Sequence, residues 1–129
     1  MVGLVVPEPT WGATMLTPAR RRGLAYERKV GQWLRASMDR GHLCGLLWDH
    51  PWVRHEGVVC SPDFILESDE SLLVLEVKLS ETSCQQQKTK YCHIWPEAEF
   101  VQVTRRVRRP ATLTSLSNQS PSGTLLLWL

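Results

Sequence analysis

Residues 58–79 read VVCSPDFILESDESLLVLEVKL, in which two apolar runs flank a short polar stretch rich in serine and acidic residues. This pattern predicts two β-strands joined by a turn. The second run, Leu72–Leu79, is apolar at nearly every position, which is typical of a central strand covered on both faces. It also carries Glu76 and Lys78, and charged groups in a buried strand need compensating partners. We therefore expect this hairpin to hold the centre of the sheet and the chemistry of the protein.

The register of the hairpin decides which side chains meet. If Ser68–Ser71 forms a four-residue turn, Asp63 lies opposite Glu76, and Cβ atoms of opposed residues are about 5 Å apart. Side chains alternate along a strand, so Lys78 shares this face; a three-residue turn would place Asp63 on the other face. Opposed carboxylates repel each other unless a proton or cation lies between them. Oxygen ligands of this kind suit Mg²⁺ or Mn²⁺, whereas the alternative is an exposed hairpin with an ordinary cross-strand salt bridge.

A long helix is predicted before the hairpin. Thr17 is expected to cap its N-terminus, with Pro18 as the first helical residue, and the helix is expected to end near Asp39, before Gly41. Glu27 falls inside the apolar arc of this helix. A carboxylate that points toward a core is costly unless it is paired. Two interpretations remain open, a functional carboxylate or an edge residue whose side chain reaches water.

The other segments complete a single α/β domain, residues 1–129, with a mixed central sheet flanked by helices. The order is helix, three strands, helix, strand and a C-terminal strand or tail. The predicted elements are an irregular arm over 1–17, strands over 43–48 and 58–66 (kinked near Pro62), a loop over 49–57, a helix over 80–95, a strand over 100–104, a Ser/Thr/Pro-rich loop over 110–123, and a last strand or docked tail over 124–129.

Basic residues are concentrated in two arginine clusters, although the net charge is only +2. Such clusters favour a phosphate-rich partner, and their alternative interpretation is a solvated charged face. The clusters consist of Arg20, Arg21 and Arg22, and of Arg105, Arg106, Arg108 and Arg109.

The sequence also predicts where in the cell the protein is located. No apolar run approaches the ~18 residues of a membrane span, and the first residues lack the basic start of a secretory signal. We therefore expect a protein that is neither in a membrane nor secreted: cytoplasmic, or nuclear or organellar in a eukaryote. Cys92 and His93 are adjacent, which makes them poor ligands for one zinc ion. Reduced thiols that behave as small buried hydrophobes are expected at Cys44, Cys60, Cys84 and Cys92.

Two short motifs resemble those of a known family. Residues 61–63 read SPD and residues 76–78 read EVK, with twelve residues between them, and this resembles the signature of the PD-(D/E)XK nuclease superfamily. Gln87 and Tyr91 lie four apart on one helix face. They resemble the Gln-x-x-x-Tyr motif of the branch related to recombination exonucleases and resolvases. The resemblance covers about residues 18–105 and implies a restriction-endonuclease-like core with the element order given above.

The resemblance also implies roles for single residues. Many members carry a glutamate on the first helix that faces the metal, and some carry a histidine upstream of the aspartate, for which His50 and His55 are both candidates. The implied ligands of Mg²⁺ or Mn²⁺ are Asp63, Glu76, Glu27 and the carbonyl of Val77. The implied catalytic residues are Asp63, Glu76, Lys78 and Glu27. Gln87 and Tyr91 would support the site or contact DNA.

These observations predict a metal-dependent nuclease that hydrolyses DNA phosphodiester bonds. A chain this small has little surface for sequence readout, so structure-selective or nonspecific cutting is expected. Alternatives are another nuclease role, including RNA cleavage, an inactive nucleic-acid-binding module, or an assembly domain whose charges form salt bridges. The apolar tail Leu125–Leu129 would suit a homodimer, and a larger nuclease or helicase assembly is a further candidate partner.

Overall fold

The computed structural model of the chain describes residues 3–8, 17–79, 85–105 and 124–127. Several features named above lie outside the described residues: Arg106, Arg108, Arg109, Cys84, the predicted start of the second helix at 80–84 and the predicted loop over 110–123.

The described residues form two helices and two β-sheets, a mixed α/β arrangement. In chain order the elements are β1 (Leu4–Val6), α1 (Pro18–Asp39), β2 (Leu46–Asp49), β3 (Trp52–His55), β4 (Val58–Cys60), β5 (Phe64–Glu67), β6 (Leu72–Lys78), α2 (Gln85–Ile94), β7 (Glu99–Arg105) and β8 (Thr124–Leu127).

The larger sheet has five strands in the order β2-β5-β6-β7-β8, so β6 is its central strand, as predicted. Strands β2, β5 and β6 are antiparallel neighbours, whereas β6, β7 and β8 run parallel. The β5–β6 register pairs Glu67 with Leu72 and Phe64 with Leu75. The four-residue turn is therefore confirmed, and Asp63 lies one residue before the first residue of β5.

A second, three-stranded antiparallel sheet in the order β1-β3-β4 corrects three predictions. The irregular arm over 1–17 contains β1, and the loop predicted over 49–57 contains β3. The strand predicted over 58–66 is divided into β4 and β5, which belong to different sheets. Pro62 lies at the break; it has no N–H to donate and biases the residue before it away from helical geometry, so a strand that changes sheets can bend there.

The first strand of the larger sheet begins at Leu46 rather than at residue 43. Gly45 has a φ of +128°, and a Cβ atom at this position would lie 2.3 Å from the carbonyl oxygen of Glu67. Only glycine fits such a close approach without a backbone shift. The chain therefore enters β2 after this glycine.

Helix α1 begins and ends as predicted. The Thr17 side chain accepts a hydrogen bond of 3.1 Å from the backbone N–H of Arg20, which caps the helix. Gly41, just beyond the last turn, has a φ of +76°. The buried face of α1 packs on the larger sheet, and Gly31 allows a close approach because a Cβ atom there would lie 3.1 Å from the Phe64 ring. Within the described part of the chain, neither helix has both the length and the apolar character to cross a bilayer.

Two apolar cores cover the two faces of the larger sheet. Alternation along β5 places Phe64 with the α1 core and Ile65 with the core that contains Tyr91 of α2. The second core includes Cys60, which is buried, and burial raises the pKa of its thiol. Cys44 is exposed, so the expectation of a buried thiol is wrong at that position, where the chain turns before β2.

Candidate functional site

Four of the predicted catalytic residues line one cleft between α1 and the open end of the β5–β6 hairpin. Glu27 comes from α1, Asp63 from the bend before β5, and Glu76 and Lys78 from β6. The cleft has a volume of about 280 Å³, and Arg20 from the first turn of α1 also lines it. Three separate segments of the chain thus bring three carboxylates and one ammonium group into the same space.

Asp63 is oriented by the backbone of the central strand. Its Oδ2 atom accepts a hydrogen bond of 2.7 Å from the backbone N–H of Val77. The β5–β6 ladder ends at the Phe64 pair, so the carboxylate takes the place that a strand carbonyl would otherwise occupy. Burial, followed by the negative charges of Glu76 and Glu27, raises the pKa of Asp63 to about 9.

Glu27 is paired inside the protein rather than solvated. Only 14% of its side chain is exposed, and its Oε1 atom contacts Nε2 of His50. Burial pushes the pKa of Glu27 upward, but hydrogen bonds from His50 and from Asp63 outweigh it and hold that pKa below its usual value. The carboxylate found in the apolar arc of the helix therefore belongs to a polar network.

His50 connects the carboxylates of this network. Its Nδ1 atom contacts Oδ1 of Asp49, its Nε2 atom contacts Glu27, and Nε2 lies 3.6 Å from Oδ1 of Asp63. The hydrogen bond to Glu27 is the largest of several effects that raise the pKa of His50 to about 9. The ring also packs edge-on against Phe64 at a centroid distance of 5.4 Å.

The backbone at His50 is unusual. Its φ is +51°, in the left-handed region that non-glycine residues rarely adopt, and its N–H donates a 2.9 Å hydrogen bond to the carbonyl of Asp63. Strained positions of this kind occur often at functional sites. The sequence left His50 and His55 as equal candidates, and the structure brings His50 to the cleft network. Asp49 and its partner Arg35 also join this network and were not predicted.

Glu76 lies on β6 and contacts Tyr91 of α2. Glu76 is only 6% exposed, and the Tyr91 hydroxyl donates a hydrogen bond to the Glu76 carboxylate. Burial and then the charge of Glu76 raise the pKa of Tyr91 well above its usual range, which keeps the phenol protonated as a donor. Gln87 lies one turn earlier on α2 and is half-buried.

Lys78 ends β6 and is half-buried in the wall of the cleft. It is two residues from Glu76, so both belong to the same alternating set on the strand. Between them, Val77 contacts Asp63 through its N–H, whereas a metal-binding role for its carbonyl stays a prediction.

Of the described arginines in the two clusters, only Arg20 lines the cleft. Arg21 and Arg22 are exposed on the same turn of α1. Arg105 is exposed at the end of β7, where its positive charge opposes the upward effect of burial on the pKa of Tyr26.

Among the described residues, ligand-type atoms of Glu27, His50 and Asp63 lie within 4.8 Å of one another; Glu27 and Asp63 line the cleft, and His50 lines a second cavity that shares Glu27 with it. Glu76 interacts electrostatically with Asp63 but is not part of this group. An array of two carboxylates and an imidazole, with a third carboxylate nearby, can hold a divalent cation or share protons among its members. No family model, curated protein or solved structure matches the chain.

Proposed function

We propose that this protein is a metal-dependent nuclease that hydrolyses phosphodiester bonds of DNA in the cleft between α1 and β6. One observation carries the proposal: carboxylates from three separate segments converge beside Lys78. Burial, followed by the negative charges of Glu76 and Glu27, raises the pKa of Asp63 to about 9, so three ionised carboxylates without a cation are unfavourable in this arrangement. A divalent cation offsets that repulsion.

The donor atoms fit Mg²⁺ or Mn²⁺. Carboxylate oxygens of Glu27, Asp63 and Glu76 are the ligand type that both ions prefer, and the imidazole of His50 adds a nitrogen that Mn²⁺ accepts more readily than Mg²⁺. When bound, such an ion polarises a phosphate and lowers the pKa of a water molecule.

The side chains of the cleft would divide the remaining work. Lys78 supplies a positive charge to orient the attacking water or to stabilise the charge that develops on the phosphate oxygens. Asp49 holds the His50 ring through Nδ1, and this orients the Nε2 atom of His50 toward the carboxylates of Glu27 and Asp63. Tyr91 of α2 orients the carboxylate of Glu76 by donating a hydrogen bond to it. Partners that fix the orientation of ligands are a regular feature of metal sites.

The fold supports the same proposal. Apart from the small sheet, the order α1, β2, β5, β6, α2, β7 agrees with the order that the sequence resemblance implies for a restriction-endonuclease-like core. The Asp63 bend, the Glu76–Lys78 strand and the Glu27 helix meet at one end of a mixed sheet. We propose that this core is a member of that fold group.

DNA is the proposed substrate because most members of the family that the sequence resembles cut DNA, and the basic side chains beside the cleft suit a phosphate backbone. Arg20 lines it, and Arg21 and Arg22 continue the positive surface along the first turn of α1. Guanidinium groups bind phosphates in a bidentate manner and carry no preference for base sequence. We therefore propose cutting that depends on the structure of the DNA or is nonspecific.

The test is a cleavage assay with purified protein on labelled single-stranded, duplex, flapped and four-way DNA, and on RNA, in Mg²⁺, Mn²⁺, Ca²⁺ or excess chelator. We expect cutting in Mg²⁺ and Mn²⁺ and binding with little cutting in Ca²⁺. Glu76→Gln and Lys78→Ala should abolish cutting, whereas Asp69→Asn, a change on the exposed β5–β6 turn, should not.

Four outcomes would overturn the proposal. Cutting that persists in excess chelator excludes the metal mechanism. Full activity of the Glu76→Gln protein excludes this cleft. Binding of DNA without cleavage under every metal condition indicates an inactive nucleic-acid-binding module, and absence of binding indicates an assembly domain.

A further inference from the structure

A second cluster of ligand-type side chains lies where the β3–β4 turn meets the C-terminal end of α2. His55 is the last residue of β3, Glu56 belongs to the turn, and His93 lies in the last turn of α2. Their donor atoms lie within 4.8 Å of one another. None of these residues belongs to the group formed by Glu27, His50 and Asp63.

The turn presents Glu56 in an uncommon way. Glu56 and Gly57 have φ values of +51° and +79°, and His55 pairs with Val58, so the strands are joined by a two-residue turn with two left-handed residues. Asn, Asp or Gly normally occupies the first position of such a turn. With Glu56 there, the carboxylate lies beside both imidazoles.

The distances within the cluster are too long for hydrogen bonds. Nε2 of His55 is 3.6 Å from Oε1 of Glu56, and Nε2 of His93 is 3.8 Å from Oε2 of Glu56. The two rings are nearly perpendicular, at 87°, with centroids 6.2 Å apart. Nitrogen–oxygen hydrogen bonds are ~2.7–3.2 Å long, so the Nε2 atoms of His55 and His93 are both too far from the Glu56 carboxylate to be hydrogen-bonded to it.

That spacing matches the space around a tetrahedral metal ion. Zinc binds nitrogen and oxygen at about 2.0–2.2 Å, which puts neighbouring ligand atoms roughly 3.4 Å from each other. Two imidazoles and one carboxylate are a zinc ligand set, and they leave a fourth position for solvent. Mg²⁺, which prefers oxygen ligands, fits this set poorly.

We propose that His55, Glu56 and His93 bind one zinc ion that ties the small sheet to α2. The ion would link the β3–β4 turn to the helix that carries Tyr91, the hydrogen-bond partner of Glu76. The partners of His93 are then residues distant in sequence rather than the adjacent Cys92. The zinc site stands independently of nuclease activity, because none of its three ligands lines the cleft.

The test measures zinc affinity of the full chain, prepared without a histidine tag, by competition with a chromogenic chelator. His55→Gln, Glu56→Gln and His93→Gln should each weaken zinc binding by at least about tenfold, since each removes a ligand. His42→Gln, at an exposed histidine in the turn after α1, is the matched control and should leave affinity unchanged. Cobalt substitution should give the visible absorption of a tetrahedral site, and this absorption should be lost in the three variants.

Substitutions at Glu56 and His93 should not disturb folding, because the side chains of these residues are 72% and 74% exposed. In an Asp63→Asn background, which removes a ligand of the cleft, melting temperatures in chelator should be equal with and without the four substitutions, and zinc should raise only the melting temperatures of the proteins that keep His55, Glu56 and His93. An Asp63→Asn variant separates the two sites and should retain zinc binding. Loss of zinc binding in that variant, or unchanged affinity in the three ligand variants, would overturn the proposal.

Discussion

The carboxylate of Asp63 accepts a hydrogen bond from the backbone N–H of Val77, with 2.7 Å between Oδ2 and the nitrogen. This contact makes the central strand of the sheet the support for the first carboxylate of the cleft. It also gives Asp63 two separable roles. The oxygen satisfies a partly buried donor, whereas ionisation of the carboxyl group is opposed by burial and by the negative charges of Glu76 and Glu27.

Asparagine and alanine at position 63 should separate these roles. Asp63→Asn keeps an oxygen for the Val77 N–H and cannot ionise, so the metal-free protein should be as stable as the wild type at neutral pH and more stable near pH 9, where the wild-type carboxyl group ionises. Asp63→Ala leaves the N–H without its partner, which costs about 1–3 kcal/mol. Both variants should lose cleavage. Urea unfolding in excess chelator measures the difference, and equal stability of the two variants would contradict the structural role of this hydrogen bond.

The metal-free protein should lose stability as the pH rises from 6.5 to 9. The folded-state pKa of His50 is raised from 6.5 to about 9, so its contribution is fully present below pH 6.5 and is lost as the pH rises through 9. Asp63, raised from 3.8 to about 9, acts in the same direction because the folded state retains its proton. The lowered pKa of Glu27 affects stability only at acidic pH, below its ordinary value of 4.5.

Thermal melts in chelator across this pH range measure the effect. The combined Asp63→Asn and His50→Gln variant should show a flatter profile than the wild type, and saturating Mn²⁺ should flatten or reverse the wild-type slope because the ion favours ionised carboxylates. A wild-type melting temperature that is constant or rises between pH 6.5 and 9 in chelator would contradict the raised pKa values.

The hairpin and the first helix could be predicted because their signals are local. Ser68–Ser71 forms a polar turn between two apolar runs, and Thr17 with Pro18 marks a helix start, so neither needed knowledge of distant contacts. From the hairpin register alone it followed that Asp63 and Glu76 lie near each other.

The small sheet and the histidine could not be predicted for a physical reason. Strand β3 is only four residues long, and its turn contains Glu-Gly rather than the Asn-Gly or Asp-Gly that marks a two-residue hairpin. His50 has a left-handed backbone and contacts Glu27, which lies 23 residues earlier in the sequence, so its place in the network depends on the tertiary fold. Its neighbours Asp49 and Arg35 are fourteen residues apart in sequence and meet only in the folded protein.

Glu27→Gln should lower activity far more than Asp69→Asn, although each change removes one negative charge. Glu27 is 14% exposed and contacts His50 and Asp63, whereas Asp69 is exposed on the β5–β6 turn. We expect a loss of about tenfold to a hundredfold in cleavage rate at limiting Mn²⁺ for the first variant and little change for the second. Similar rates for the two variants would show that Glu27 does not contribute to the metal site.

Tyr91→Phe tests the support of Glu76 from α2. Removal of the hydroxyl leaves the carboxylate of Glu76, a residue that is only 6% exposed, without this hydrogen-bond donor. A hydrogen bond to a charged group contributes about 1.5–3 kcal/mol. We expect the Mn²⁺ concentration for half-maximal cleavage to rise about tenfold, with a smaller change in the rate at saturating Mn²⁺. Tyr26→Phe, at a buried tyrosine in the other core, is the control for general loss of a phenol. An equal shift in both variants would indicate a packing effect.

Arg20→Ala should weaken DNA binding equally across sequences without changing the chemical step. Arg20 lines the cleft at the start of α1, where its guanidinium group can reach a phosphate beside the carboxylates, but it has no assigned role at the reacting atoms. Each lost phosphate contact should reduce the slope of log affinity against log salt by ~0.9 on duplex DNA, or by ~0.7 on single strands. The measurement is a salt titration of binding in Ca²⁺, with Arg54→Ala, an exposed arginine on β3, as the matched control. Turnover at saturating DNA should change little. An unchanged slope in the Arg20→Ala protein would show that the first arginine cluster is a solvated face, and DNA would then have to approach the cleft from another side.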